Sequence, residues 1–162
     1  MKGAAATVAS LVPGLDTGPS NAITLLETDH RKMEGLLNQG EKAKAARARR
    51  QILDTVTHEL KVHEMIEEKI FYPALQSHPE AKDIVLEGFQ EHHVADVLVQ
   101  ELHDCSTDDD RWGAKFKVLK ENIEHHIEEE EGKMFRTARG IFSQQQLNEL
   151  GAEMEAMKRS AQ

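Results

Sequence analysis

The sequence predicts an all-α protein, an up-down-up-down antiparallel four-helix bundle with an extra C-terminal helix. Charged residues make up 30% and aromatic residues only 4% of its 162 residues, and such a chain, rich in Ala, Glu, Lys and Leu, favours helices. Apolar residues recur three and four positions apart over four long stretches, as they do on helices that bury one face. Short connections between neighbouring helices indicate that they pack antiparallel.

The chain divides into three segments. Prolines and glycines make residues 1–20 an irregular N-terminal arm, and Ser20 or Asn21 is a plausible N-cap for the first helix. Residues 21–140 form the four-helix bundle, and residues 141–162 form the C-terminal helix and tail. This last helix can pack on the bundle or on another subunit, so we expect a monomer or a homodimer.

Glycine, proline and serine mark the expected helix ends. Gly40 fits the position just past the end of the first helix. Pro73 is expected to end the second helix, because it lacks an amide donor and disfavours helical structure in the residue before it. Pro79 fits the first position of the third helix, and Ser143 with Gln146 forms a capping-box pattern for the C-terminal helix.

Charge and cysteine content limit the partners. The formal net charge of −9 argues against nucleic acid as a partner. The basic run at 42–50 is interpreted as the solvated start of a helix, with anion binding as the alternative. Cys105 is the only cysteine, which excludes an internal disulfide and favours a cytoplasmic location. No apolar run approaches the length that spans a membrane, so no membrane partner is expected.

A two-helix unit occurs twice in the sequence. In each copy the first helix carries one histidine, and the second helix carries a histidine followed four residues later by a glutamate. Residues four apart share a face of a helix, so each histidine and glutamate form a two-pronged ligand. The copies are offset by 62 residues for the first helix and 63 for the second, which indicates an internal repeat. The six residues are His30, His63, Glu67, His92, His126 and Glu130.

These six residues are in register with the apolar stripes of their helices, which predicts that they point inward. An unpartnered imidazole or carboxylate there would cost roughly 1 to 3 kcal/mol or more, and shared metal ions remove that cost. Two carboxylates can bridge two ions while four imidazoles bind them in pairs. This donor set suits iron, although zinc, manganese or a mixed pair also satisfies it. The alternative, solvated His–Glu pairs, predicts that the six lie on the outer face.

At these residues the sequence resembles the haemerythrin-like family, also called HHE cation-binding domains, over roughly residues 23–139. The ordered set of His, His-x-x-x-Glu, His and His-x-x-x-Glu carries the resemblance. It implies an up-down-up-down bundle around a non-haem di-iron centre with an oxo or hydroxo bridge. It also implies that the four histidines are terminal ligands and that Glu67 and Glu130 are the bridges.

Two positions depart from the oxygen-carrying members of that family. Those proteins have a fifth histidine one turn before the one on the third helix, where this chain has Gly88. They also place the last carboxylate five residues after its histidine, where Glu131 stands here. The missing imidazole leaves a place for water, a substrate or another side chain. Glu64 is the candidate, with a solvent-exposed carboxylate as the alternative, and Tyr72 is expected to pack, with proton donation or ligation as its alternative.

Further polar residues neighbour the proposed ligands. Asp29 and Glu91 precede the first-helix histidines in both copies and are expected to be solvated, with support of the ligands from behind as the alternative. His93 and His125 would replace their neighbours as ligands if the register were shifted by one residue.

The expected function is O2 binding or sensing at a di-iron centre, with a small diatomic molecule or peroxide as the ligand. Apolar residues such as Leu60, Phe71 and Met134 are expected to surround the open coordination position. The first alternative is a di-iron enzyme that acts on hydrogen peroxide or nitric oxide. The second is iron storage or sensing, with Glu64 completing the coordination. A metal-free interaction module does not explain the buried charge.

Overall fold

The computed structural model describes residues 21–162, so the arm predicted for residues 1–20 lies outside the described residues. The prediction of an all-α bundle is confirmed: every regular element in the described part is helical. The α-helices are α1 (Ala22–Lys42), α2 (Ala46–Ile66), α3 (Tyr72–Gln76), α4 (Lys82–Asp104), α5 (Arg111–Glu129), α6 (Phe135–Ile141) and α7 (Gln144–Ser160).

Two π-helical turns join helices end to end. Glu67–Phe71 connects α2 to α3, and Glu130–Met134 connects α5 to α6. The bundle therefore consists of four long helical segments, formed by α1, by α2 with α3, by α4, and by α5 with α6. Both α1 and α4 pack against α2 and α5, which gives the predicted up-down-up-down arrangement.

The core consists of two apolar clusters along the bundle. On α2, Leu60 belongs to one cluster and Phe71, at the end of the following π turn, to the other. His63 and Glu67 lie between them in the sequence and are buried. The polar residues of the predicted site therefore separate two apolar regions, and little water reaches them.

Three of the predicted helix ends differ from the structure. Pro79 opens a short 3-10 helix, Pro79–Ala81, and α4 begins after it at Lys82. α1 continues past Gly40 to Lys42. This glycine serves close packing instead, because a Cβ there would lie 2.0 Å from the ring of Phe116. The helix also continues through Pro73, which lies in the first turn of α3 immediately after a π turn. A first-turn position needs no amide donor, so proline is tolerated there.

The C-terminal helix packs on the bundle of its own chain. The capping box is present: Ser143 Oγ accepts a hydrogen bond from the Gln146 amide at 3.2 Å, and Gln146 Oε1 accepts one from the Ser143 amide at 2.8 Å. Leu147 and Met154 of α7 are buried in the cluster that contains Phe71, and α7 packs against α1 and α2. None of the helices within residues 21–162 combines the length and apolarity needed to cross a bilayer.

Candidate metal centre

Each of the two glutamates opens a π turn. The Tyr72 amide donates to the carbonyl of Glu67, and the Phe135 amide donates to the carbonyl of Glu130, five residues back in both cases. Such turns re-aim the side chains around them and often mark functional sites. Both glutamates are at most 1% exposed, so the two carboxylates lie inside the bundle.

The four histidines of the repeat point inward together. Each is at most 7% exposed, whereas His93 and His125, the alternatives for a shifted register, are exposed. The histidine rings lie in two pairs, with centroids 5.0 Å apart for His30 and His63 and 4.8 Å apart for His92 and His126. One histidine of each pair comes from the first helix of a repeat and the other from the second helix of the same repeat.

The two oxygens of Glu67 face different histidine pairs. Oε1 lies 3.1 Å from His63 Nε2, and Oε2 lies 3.0 Å from His92 Nε2. Glu130 has the same arrangement, with Oε2 at 3.1 Å from His30 Nε2 and Oε1 at 3.4 Å from His126 Nε2. Each carboxylate therefore spans the gap between the pairs, as a bridging ligand does.

Two groups of four donors result, and both are able to hold a metal ion. Within each group the ligand atoms all lie within 4.8 Å of one another, and all residues are buried. Both groups contain both glutamates, one oxygen for each group. The first group is His30, His63, Glu67 and Glu130, and the second is Glu67, His92, His126 and Glu130.

Five of the donor atoms make no hydrogen bond of normal geometry: His30 Nε2, His63 Nε2, both oxygens of Glu67, and Glu130 Oε2. They are buried and lie 3.0 to 3.1 Å from a facing imidazole nitrogen or carboxylate oxygen of the same cluster. In the second group the Nε2 atoms of His92 and His126 face each other at 3.2 Å. Unpaired buried atoms of this kind cost free energy. Cations placed among them would satisfy all of these donors at once, so the residues fit a metal centre.

An outer carboxylate accepts a hydrogen bond from the Nδ1 atom of each of the four histidines. The Nδ1–H of His30 donates to Glu131 at 2.8 Å, and that of His92 donates to Glu68 at 2.9 Å. This bond fixes the tautomer and leaves Nε2 free to bind a metal. Glu131 thus lies behind a histidine, whereas Glu130 occupies the interior.

The remaining two outer carboxylates were expected to be solvated, and that expectation is wrong. Asp29 accepts from His63 Nδ1 at 3.4 Å, and Glu91 accepts from His126 Nδ1 at 2.5 Å. Asp29 and Glu91 occupy equivalent places in the two repeats, so the internal duplication extends to these contacts. The sequence shows that Asp29 and Glu91 each precede a histidine, one in each repeat. It does not show that they contact a different histidine, on the neighbouring helix.

The histidines and glutamates hold protons between them in the absence of a cation. Burial opposes charge on His63, but the carboxylates of Glu67 and Asp29 outweigh it and hold the pKa of His63 well above its ordinary value. The same balance raises the pKa of His92 to about 9. Burial favours a high pKa for Glu67, but His63 and His92 lower it well below its usual value. Metal binding must displace these protons.

Tyr72 takes part in the site and is more than a packing residue. Its hydroxyl donates to Glu130 Oε1 at 2.6 Å and lies 3.3 Å from His92 Nε2. Burial and the nearby carboxylates of Glu130 and Glu67 raise the pKa of Tyr72 well above its ordinary value, so the phenol keeps its proton. This contact joins two helical segments, so the periodicity of a single helix does not predict it.

Glu64 lies at the edge of the site. It is only 5% exposed, so the alternative of a solvent-exposed carboxylate is wrong. Its Oε1 has no hydrogen-bond partner, and its Oε2 lies 3.8 Å from Lys61 Nζ. Burial raises the pKa of Glu64 to about 7, with the carboxylates of Asp96 and Glu67 adding to the effect. It is outside both groups of four donors.

A small, mostly enclosed cavity of about 20 Å³ borders all four histidines. This volume has room for roughly one water-sized molecule. Its apolar wall differs from the expected one: Leu60 lines it, but Phe71 and Met134 belong to the cluster on the other side of the glutamates. The remaining apolar lining consists of Met33, Ile123 and Ile127.

The fold and the site define a helical-bundle protein with a buried His–Glu cluster able to hold cations. The family model described as Hemerythrin HHE cation binding domain matches residues 21–138, and the chain belongs to that family. A similar solved structure is that of a Hemerythrin HHE cation binding domain-containing protein from Mycobacterium kansasii. It has 24% sequence identity and a TM-score of 0.79, over 88% of this chain and 87% of that one, which shows the shared fold. No curated protein sequence gives a match.

Proposed function

We propose that this chain holds two iron ions and binds O2, or a related small ligand, as an O2-binding or O2-sensing protein. The observation that carries the proposal is a small cavity bordered by four buried histidines, which belong with Glu67 and Glu130 to two groups of donors able to hold metal ions. In this proposal the four histidines bind the ions in pairs, and Glu67 and Glu130 bridge them. Iron ions bound there would supply open coordination and reversible redox chemistry.

The donor set supports iron and a count of two. All donors are imidazole nitrogens or carboxylate oxygens, and this mixture suits iron better than the thiolate-preferring ions. Each glutamate offers one oxygen to each group. A single ion would leave the other histidine pair and two carboxylate oxygens unsatisfied, so two ions explain the arrangement and one does not.

The cavity selects the ligand by size and polarity. Leu60, Met33 and Ile123 exclude bulk water from the histidine side of the centre, and a dry pocket favours a small uncharged ligand. Its volume of about 20 Å³ suits a ligand of roughly the size of a water molecule better than an organic substrate.

Metal analysis with optical spectroscopy tests the proposal. Protein supplied with iron and desalted should retain two equivalents. The anaerobically reduced form should gain a visible absorption band on exposure to O2 and lose it on purging with inert gas. Retention of no metal would overturn the metal assignment. Irreversible oxidation at the first exposure would overturn reversible O2 binding while leaving the metal centre intact.

Tyr72 favours a second candidate, an enzyme that acts on hydrogen peroxide or nitric oxide. Its buried hydroxyl donates to a proposed bridging carboxylate, so a proton is held close to the proposed ions. General acid–base groups typically contribute 100-fold or more to a rate. Conversion of two hydrogen peroxide molecules to two waters and one O2 should then slow at least tenfold in Tyr72→Phe. Wild-type protein that evolves no O2 from peroxide and consumes no nitric oxide would exclude this candidate.

Glu64 supports a third candidate, iron storage or sensing. Its unpartnered, buried Oε1 is available to complete the coordination of an ion that lacks a fifth imidazole. In that case the fold should tighten as iron is supplied and loosen as it is withdrawn. Limited proteolysis with and without iron measures this, and equal digestion rates would exclude it.

A further inference from the structure

One lysine of the C-terminal helix contacts an outer carboxylate of the candidate metal centre. Lys158 of α7 forms an ion pair with Asp29, whose second oxygen accepts from His63 Nδ1 at 3.4 Å. The chain of contacts therefore runs from Lys158 through Asp29 to a histidine of the first donor group. α7 lies beyond residues 21–138, which the family model matches.

Packing holds Lys158 in this place. Ser143 caps the start of α7, and Met154, one turn before Lys158, is fully buried. Because residues four apart share a helix face, the packing of Met154 directs Lys158 toward α1. The Lys158 side chain is 22% exposed and that of Asp29 14%, so the pair is mostly withdrawn from water.

The outer carboxylates differ between the two donor groups. Behind His30 and His63, both carboxylates are paired with a cation: Asp29 with Lys158, and Glu131 with Arg31. Behind the other two histidines the corresponding carboxylates are Glu91 and Glu68. Among the described residues, no lysine or arginine lies within 4.0 Å of either of these two.

We propose that Lys158 is a positioning residue of the metal centre, which holds Asp29 in the orientation that supports His63. This inference rests on the proposed metal binding. Loss of Lys158 frees the Asp29 carboxylate to turn toward water, and His63 then loses its fixed tautomer and ring orientation. A cation-paired carboxylate is also a weaker acceptor, so His63 and His126 are unequal donors and the two bound ions are inequivalent.

The variant Lys158→Met tests the proposal, because it removes the charge and keeps most of the length. Lys158→Arg should restore the contact. Arg159→Met is the matched control, since Arg159 is adjacent, 71% exposed and paired only weakly with Glu155 at 4.0 Å. The probes are cobalt(II) and iron(II), each titrated against a chelator of known affinity.

Loss of an outer partner typically lowers metal affinity 10- to 100-fold. We expect Lys158→Met to weaken one of the two ions about tenfold and leave the other unchanged. Asp29→Asn should weaken the same ion, and Glu91→Gln the other one. In the cobalt protein, the exchangeable Nδ1–H resonance of His63 should broaden in Lys158→Met and recover in Lys158→Arg, and Arg159→Met should match wild type throughout.

Equal affinities and resonances in Lys158→Met and wild type would overturn the proposal. So would an equal loss at both ions together with a lower unfolding midpoint of the metal-free protein, since that result indicates a purely structural role. Failure of wild-type protein to bind either metal would instead overturn the proposed function, so the two failures are distinguishable.

Discussion

The hydroxyl of Tyr72 occupies the space that a side chain at position 88 would need. A Cβ built on Gly88 would lie 2.7 Å from Tyr72 Oη and 3.0 Å from Cζ. The tyrosine comes from α3, whereas Gly88 lies on α4, and the tyrosine hydroxyl donates to Glu130 Oε1 at 2.6 Å. The absence of a side chain at position 88 therefore makes room for the Tyr72 hydroxyl beside Glu130.

We expect Gly88→Ala to destabilise the protein by about 1 to 3 kcal/mol, because overpacking forces the Tyr72 ring to shift. The same change should cost less in a Tyr72→Phe background, where the closest atom is absent. Denaturant unfolding of the two single variants and the double variant measures this coupling. Gly35→Ala is the control: its Cβ meets nothing within 4 Å, so it should stabilise α1. Additive effects at positions 72 and 88 would contradict the contact.

Removal of either central glutamate should reduce bound metal from two equivalents to one or fewer. Glu67 and Glu130 each contribute an oxygen to both donor groups, so neither group stays complete in Glu67→Ala or Glu130→Ala. Metal analysis after desalting gives the stoichiometry. Glu128→Ala removes an exposed carboxylate near the same site and should retain two equivalents. Two equivalents in both central variants would reject the bridging role.

The metal-free protein should lose stability as the pH rises from about 6.5 to 9. The pKa of His92 is about 9 in the folded protein, against an ordinary value of 6.5, so the folded state binds more protons in this window. Its contribution is complete below the lower value and is lost above the higher one, an effect on the order of 2 kcal/mol. Denaturant unfolding at pH 6.5 and pH 9 measures it.

Two comparisons sharpen this measurement. His92→Gln should reduce the pH dependence, because one titrating group is gone, but His63, whose pKa is also raised, should retain part of it. Metal affinity should change in the opposite direction and rise over the same window, since fewer protons must be displaced. A metal-free protein that is equally stable at both pH values would contradict the assignment.

Replacement of Glu64 should change stability and metal affinity in opposite directions. Its pKa of about 7 in the folded protein, against 4.5 ordinarily, means that folding costs free energy above pH 7, where the buried carboxylate is charged. Glu64→Gln should therefore stabilise the metal-free protein at pH 8 by about 1 to 3 kcal/mol. If Glu64 completes an ion's coordination, iron affinity should fall. Unchanged affinity would remove Glu64 from the ligand set, and the exposed Glu128→Gln should alter neither quantity.

The sequence predicts much of the fold and the interior direction of six side chains because both depend on one helix at a time. His63 and Glu67 share a face with Leu60 and Val56 whatever the neighbouring helices do. The matching offsets of the second repeat then allow the same prediction for its residues. Patterns of this kind need no knowledge of how helices cross.

Contacts between helices were not predictable in the same way. Asp29 is polar and precedes a histidine, but its partners His63 and Lys158 lie on two other helices. Tyr72 follows a π turn, which displaces it from the regular helical register, and only the crossing of α3 and α4 brings it to Gly88. The spacing of apolar residues shows which face of a helix is buried, but it does not show which residues of other helices that face contacts. These contacts could therefore be identified only from the three-dimensional structure.

The two halves of the chain share Glu67 and Glu130 between the two donor groups. The histidines of each donor group come from one repeat, but each group borrows a carboxylate from the other repeat. Neither half of the polypeptide supplies all four donors of a group. Bound cations would therefore link the two halves. A backbone cleaved between α3 and α4 should then reassemble through the apolar core, and it should do so more tightly when cations are supplied than when they are withheld.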